Sequence, residues 1–228
     1  MKQLIEKLGN IWKIEELRQR ILYTLLLLGV FRLGSYIILP GIDSVQLEAD
    51  FANSQGGGIL DFINLFVGGA FARGAIFALG IMPYISASII VQLLGAALPS
   101  IQKLQRDGDA GQKKINQLTR YLTVLITLGQ SFGYVVNLRS MYPTAVPQGD
   151  IFFWLMSVLI LTAATMFLVW LGERITDNGI GNGVSLLIAI GIISALPGSL
   201  INEFRANPAM LFFIEAVSYT HLTLPTKA

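Results

Sequence analysis

The stretch GGGILDFINLFVGGAFARGAIFALGIMPYISASIIVQ, Gly56 to Gln92, decides the fold. A short apolar segment bracketed by glycines runs straight into a longer apolar helix with a proline inside it. Gly58 to Phe66 is nine residues, and at about 1.5 Å rise each it reaches roughly 14 Å, about half the hydrocarbon core of a bilayer. It cannot span. Backbone that stops at mid-depth is tolerated only inside protein or along a water-filled cavity, because lipid offers no hydrogen-bond partners. The segment therefore reads as a re-entrant plug, and the pair as a gated pore.

The rest of the chain agrees with a membrane setting. Hydrophobic residues make up 54% and charged residues 13%, and mean hydropathy is +0.64; a water-soluble domain with these values would not stay dispersed. With no cysteine, disulfides, thiol chemistry and cysteine metal sites are excluded. Residues 1–20 form an amphipathic, mixed-charge stretch without an apolar h-region and small-residue cleavage site, so the reading is a retained cytoplasmic amino terminus.

Five apolar runs are expected to cross the membrane within a bundle of residues 21–201: 21–39, 75–98, 121–138, 151–172 and 184–201. The last is interrupted by Pro197-Gly198. A sixth run, 208–217, begins near Pro208 and fails after Val217. Lys2, Lys7, Lys13, Arg18 and Arg20 precede the first run, and Lys103, Arg106, Lys113, Lys114 and Arg120 follow the second, whereas Arg73, Arg139 and Arg205 stand singly in the alternate loops. Cytoplasmic segments keep the excess of basic residues. The amino terminus is thus placed inside, and the plug enters from outside.

Four separated blocks carry a resemblance: FRLGSYIILPGID from Phe31, FALGIMPYISASIIVQLL from Phe77 to Leu94, TRY at Thr119, and TMFLVWLGERITDNGIGNG from Thr165 to Gly183. Together they resemble the SecY family of protein-conducting channels over most of residues 21–197. The resemblance implies an all-α, multi-pass helical bundle, the first half of a ten-helix channel with inverted repeats. It implies the central subunit of a channel in the bacterial cytoplasmic membrane that passes unfolded preproteins with signal sequences across the lipid bilayer and releases membrane proteins laterally into it. SecE, SecG and either SecA or the ribosome are the partners it implies.

Ile81 and Ile85 are four apart and project from one face of the expected helix, with Pro83 between them removing a backbone donor. Periodicity alone favours contact with lipid or a neighbouring helix. The resemblance instead assigns Ile81, Ile85 and Ile188 to an aliphatic ring at the pore waist, which gates by dewetting. It also implies a lateral gate along the helix that bears Pro83, Ser86, Ser88 and Gln92; serines in such helices often bond back to their own backbone, while Gln92 needs a partner.

The plug comprises Gly58, Ile59, Leu60, Asp61, Phe62, Ile63, Asn64, Leu65 and Phe66. Asp61 and Asn64 give it a wet side; a surface amphipathic turn ending at Gly68-Gly69 is the competing reading, and the glycines with the resemblance favour the plug. Arg32 is the one charge well inside a span, where snorkelling or a backbone-carbonyl partner suffices to explain it. Arg106-Asp107-Gly108-Asp109 lacks the remaining ligands of a calcium loop, and Gly179 to Gly183 lacks the flanking elements of a phosphate cradle, so both read as turns. Charged loops are usually just solvated; the resemblance makes Lys103, Arg106, Lys113, Lys114 and Arg174 the candidates for docking cytoplasmic partners.

Residues 218–228 resemble nothing in the family, hold the only histidine, His221, and are read as a foreign junction joined to a truncated frame. A secondary transporter with a broken-helix site is the alternative function, but the interiors of the second to fifth runs carry no ionisable residue. An intramembrane protease would need paired aspartates or a serine with an intramembrane histidine, and Asp61 stands alone. The expectation is a passive conduit: no enzyme, no cofactor, no metal and no nucleic-acid readout.

Overall fold

A computed structural model describes residues 14–53, 59–147 and 151–206. Gly58, residues 1–13, the sixth apolar run at 208–217 and the tail at 218–228 lie outside the described residues. The elements are α1 (Glu15–Gly34), α2 (Ser44–Asn53), α3 (Ile59–Phe66), α4 (Met82–Ala97), α5 (Pro99–Arg106), α6 (Gly108–Met141), α7 (Ile151–Asn178) and α8 (Gly183–Ala206). No strand occurs among the described residues; a single antiparallel bridge joins Ile38 to Ala75.

α1 starts with Glu15 and Glu16, whose charges suit a helix amino terminus, and stops earlier than the apolar run 21–39 suggests. The Ser35 hydroxyl donates to the Phe31 carbonyl oxygen at 3.0 Å, and beyond it the chain extends to pair with the segment after the plug: Leu39 N donates to Gly74 O at 2.9 Å and Ile76 N to Ile37 O at 2.8 Å. Ser35 and Leu39 of this stretch are buried, at 0% and 1% exposed, while Tyr36, Ile37 and Ile38 between them are exposed. Asp43 then caps α2, its carboxylate accepting from Val45 N and Gln46 N at 3.1 and 3.2 Å.

The run 75–98 needs the larger correction. It is not one helix with Pro83 in its interior: residues 75–81 are a bridge and successive turns, and α4 begins only at Met82. Pro83 sits in the first turn, where its missing N–H would have no intrahelical acceptor anyway. Ile81 consequently caps the helix, its carbonyl accepting from Ile85 N at 3.2 Å, and both isoleucines meet the central hydrophobic cluster. At the other end, Leu98 and Pro99 break the chain, and α5 leaves α4 at 102°.

The runs 121–138 and 151–172 lie within longer helices, α6 and α7, which are the two described helices long and apolar enough to cross a membrane; the bent pair α4 and α5 is a third candidate. α8 contains Pro197 and is not interrupted by it: a proline costs a helix one hydrogen bond and some straightness without ending it, given surrounding support.

Close packing explains the small and hydroxylated residues in these helices. α6 packs against both α4 and α7. Ala87, Val91 and Gly95 form the buried stripe of α4, and Thr119, Thr123, Thr127 and Ser131 that of α6, the last three 0% exposed. Each threonine hydroxyl donates to the carbonyl four residues back, at 2.9, 2.7 and 2.6 Å, so short side chains bring the backbones together without stranding those hydroxyls. Leu26, Leu93, Leu125 and Leu155, all at least 58% exposed, form the contrasting outer face, a distribution that suits lipid and not water.

The turn between α7 and α8 is tied on both sides. Thr24 of α1 accepts from Ile180 N at 3.0 Å, Thr176 accepts from Gly183 N at 2.9 Å, and the Asn182 carboxamide oxygen accepts from Ser185 N at 3.1 Å. Two hydrophobic clusters result: an outer one around Leu39, Phe71, Tyr134 and Leu138, and a central one around Phe31, Phe77, Ile81, Leu168 and Leu187.

Candidate functional site

The site is the place where α3 and its following turn meet α4 and α8. A small apolar cavity of about 20 Å³ is lined there by Phe66 and Val67 at the end of the half-helix, Ile81 and Met82 at the start of α4, and Leu187 and Ile188 of α8, with Phe31 and Leu168 behind them. Ile81 is 6% exposed. Ile85 does not line this cavity; it is half-buried one turn into α4, against the central cluster. Of the three isoleucines expected at a waist, the structure thus brings Ile81 and Ile188 to one cavity and sets Ile85 beside it.

α3 contacts α8, and the approach is between backbones. A Cβ at Gly191 would overlap the Phe66 carbonyl oxygen. One at Gly68 would lie 2.7 Å from Ser194 Oγ and 3.1 Å from Gly191 O. Gly68 and Gly69 adopt φ of +64° and +83°, angles open to glycine at little cost, and these turn the chain back at the foot of the half-helix. Asn64, expected on a wet side, is half-buried and ties this turn: its carboxamide oxygen accepts from Ala72 N at 3.0 Å and its carbonyl from Gly69 N at 2.9 Å. Phe62, in contrast, is 60% exposed and stacks edge-on with Phe66 at 4.7 Å. Leu60 and Ile63 pack toward the outer cluster.

Tyr134 is a residue that sequence reasoning did not reach. It is buried in α6, and its hydroxyl donates to the Phe71 carbonyl at 2.9 Å, fixing the loop that joins the half-helix to α4. Tyr134→Phe leaves that carbonyl with only its longer bond from Gly74 N, at 3.2 Å, and is expected to lower stability by about 0.5 to 1.5 kcal/mol, seen as a lower thermal unfolding midpoint in detergent; an unchanged midpoint would mean that the bond contributes nothing.

A second, larger cavity of about 410 Å³ opens between the half-helix, α4 and α6, with Ser86, Gln130 and Asn137 as polar groups on its wall. Ser86 donates back to Met82 O at 3.2 Å, and Gln92 finds its partner on its own helix, donating to Ser88 Oγ at 3.2 Å. Pro83 is buried. The Asn137 carboxamide oxygen is buried without a hydrogen bond among the described residues. At the other end of the bundle, Lys103, Arg106, Lys113, Lys114 and Arg174 are all exposed; Arg174 stacks over Trp170 at 5.6 Å, and the Arg120 Nε donates to Glu173 at 3.1 Å, joining α6 to α7.

A family model described as SecY matches residues 75–224, past Val217 and into the stretch that sequence reading sets apart. Among curated relatives, the protein translocase subunit SecY of Buchnera aphidicola subsp. Acyrthosiphon pisum is 45% identical over 89% of this chain and 48% of its own length. Those of Rickettsia conorii and Haemophilus influenzae are 46% and 43% identical over 89% and 90% of this chain. The chain spans about half the length of the relatives it matches. Two solved structures, titled "The structure of a protein conducting channel" and "Sec61 in the Canine ribosome-channel complex from the endoplasmic reticulum", each share the fold at a TM-score of 0.53 and 19% identity, over 76% of this chain and 36% of theirs.

Proposed function

The chain belongs to the SecY family, and we propose that it supplies the amino-terminal half of a channel that conducts unfolded preproteins across the bacterial cytoplasmic membrane and releases membrane segments sideways into lipid. The convergence of Ile81 and Ile188 with Phe66 and Val67 on one apolar cavity carries this reading. An aliphatic waist stoppered by a half-helix blocks ions by dewetting and yields to an apolar chain without charge selectivity. Ile85 completes the waist once a second half faces it, and α4 with Ser86, Ser88 and Gln92 forms one side of the lateral gate. SecE, SecG and SecA or the ribosome are the partners of the assembled channel, with the basic residues at the α5 end receiving the cytoplasmic ones; the channel itself catalyses nothing.

Photo-crosslinking tests the proposal. A photoreactive residue at Ile81 or Ile188 is expected to capture a preprotein arrested in transit through the complete channel, and one at Leu125, 68% exposed on the outer face of α6, to capture lipid only. Equal capture at Leu125 and no capture at the isoleucines would overturn it. The orientation has its own check: with the amino terminus inside, an impermeant thiol reagent added from outside labels Ser140→Cys and spares Gln112→Cys, and the reverse pattern would invert the topology.

A further inference from the structure

The turn that ends the half-helix is gripped by two arginines that share one tyrosine. Arg32, near the end of α1, donates from one terminal nitrogen to the Gly68 carbonyl at 3.1 Å and from the other to the Tyr36 hydroxyl at 2.9 Å. Its guanidinium carbon lies 4.9 Å from the Tyr36 ring centroid, and that of Arg73 lies 4.6 Å from the same centroid. Arg73 donates from Nε to Glu48 at 2.9 Å. A Cβ at Gly69 would meet a terminal nitrogen of Arg73 at 3.3 Å, and one at Gly68 would meet Arg32 at 3.0 Å. Both cations therefore lie against the two glycines whose backbone angles set the hinge.

We infer that Arg32, Tyr36 and Arg73 are positioning residues for the half-helix, a clasp that holds its glycine hinge in the closed state; the inference rests on the plug reading above. Three features argue for a clasp that is made to open. Among the described residues no carboxylate pairs with Arg32, so its hold on the hinge is a single charge-assisted bond to Gly68 O and the tyrosine that orients it. Two guanidinium groups share one ring and, among the described residues, only that of Arg73 has a carboxylate, Glu48, to offset it, so the residual like-charge repulsion limits the strength of the whole. One Arg73 terminal nitrogen is buried with no acceptor among the described residues, so the closed arrangement leaves a donor unused. A residue that only snorkelled would need none of this geometry.

The experiment follows the reactivity of Val67→Cys, at a position 3% exposed beside the hinge, toward an aqueous thiol reagent in the complete membrane-embedded channel, with Leu138→Cys, 2% exposed in the outer core, as a reporter of general loosening. Substrate engagement should speed labelling of Val67→Cys; if it does not, the plug reading itself fails. Given that response, Arg32→Gln is expected to speed resting labelling by on the order of tenfold to a hundredfold, the range for losing one charge-assisted bond. Tyr36→Leu, at a position 54% exposed where the change is compatible with folding, should do the same and decides the matter if Arg32→Gln does not assemble. Unchanged labelling in these variants, equal acceleration at Leu138→Cys, or full restoration by Arg32→Lys, which keeps the charge and loses the fork, would each overturn the clasp.

Discussion

Replacing Ile81 and Ile188 together with asparagine makes the resting channel conduct ions. Both side chains line the cavity beneath the half-helix, and each buried aliphatic side chain contributes about 1.5 to 3 kcal/mol to the arrangement that holds it. Losing even half of the pair's contribution shifts the closed-to-open ratio roughly tenfold to a hundredfold. The carboxamides also wet the waist, so the dewetting barrier falls while the stopper loses its seat. Conductance of the reconstituted full-length channel in a planar bilayer measures the effect. A double variant that assembles normally and stays silent would mean that these isoleucines line nothing that ions traverse.

Gly191→Ala produces a leak by a different route. Within a helix, alanine is favoured over glycine by about 0.8 to 1 kcal/mol, so α8 itself is not weakened. The added methyl, however, enters the space of the Phe66 carbonyl, which is backbone and has no rotamer by which to yield. Overpacking of this kind costs about 1 to 3 kcal/mol, and here the half-helix relieves it by leaving its seat. Raised resting conductance should be joined by acceptance of preproteins with weakened signal sequences, since a destabilised closed state needs less help to open. A tight resting channel with unchanged signal selectivity would show that α3 does not rest on Gly191 in the membrane.

The half-helix was legible because its length and its glycines are local properties: nine residues cannot cross a bilayer wherever they fold. α6 and α7 were legible in the same way, though hydropathy located their apolar centres and not their polar ends. Hydropathy failed at residues 35–39 and 75–81, where it cannot distinguish a membrane-crossing helix from an apolar loop that closes a bundle. Gly80 adopts φ +56° with Val67 packed where a Cβ would stand, a contact across sequence that no period reveals. A backbone-carbonyl partner for Arg32 was one of the two readings its sequence position allowed, but that the carbonyl belongs to Gly68, 36 positions away, was invisible for the same reason. The stripe Thr119, Thr123, Thr127, Ser131 did carry a signal, small polar residues every fourth position, and could have identified the buried face of α6 unaided.

That stripe bears on how the molecule is made. A helix whose buried hydroxyls wait for acceptors on its neighbours would enter lipid with exposed polar atoms and would have to be held until those neighbours emerged. The threonines of α6 carry their acceptors with them, one turn behind on the same backbone. Those three hydroxyls therefore add little to the cost of placing α6 in the bilayer before its neighbours arrive, whereas the Tyr134 hydroxyl of the same helix gains its acceptor, the Phe71 carbonyl, only when the bundle closes, and Ser131 Oγ has no acceptor among the described residues.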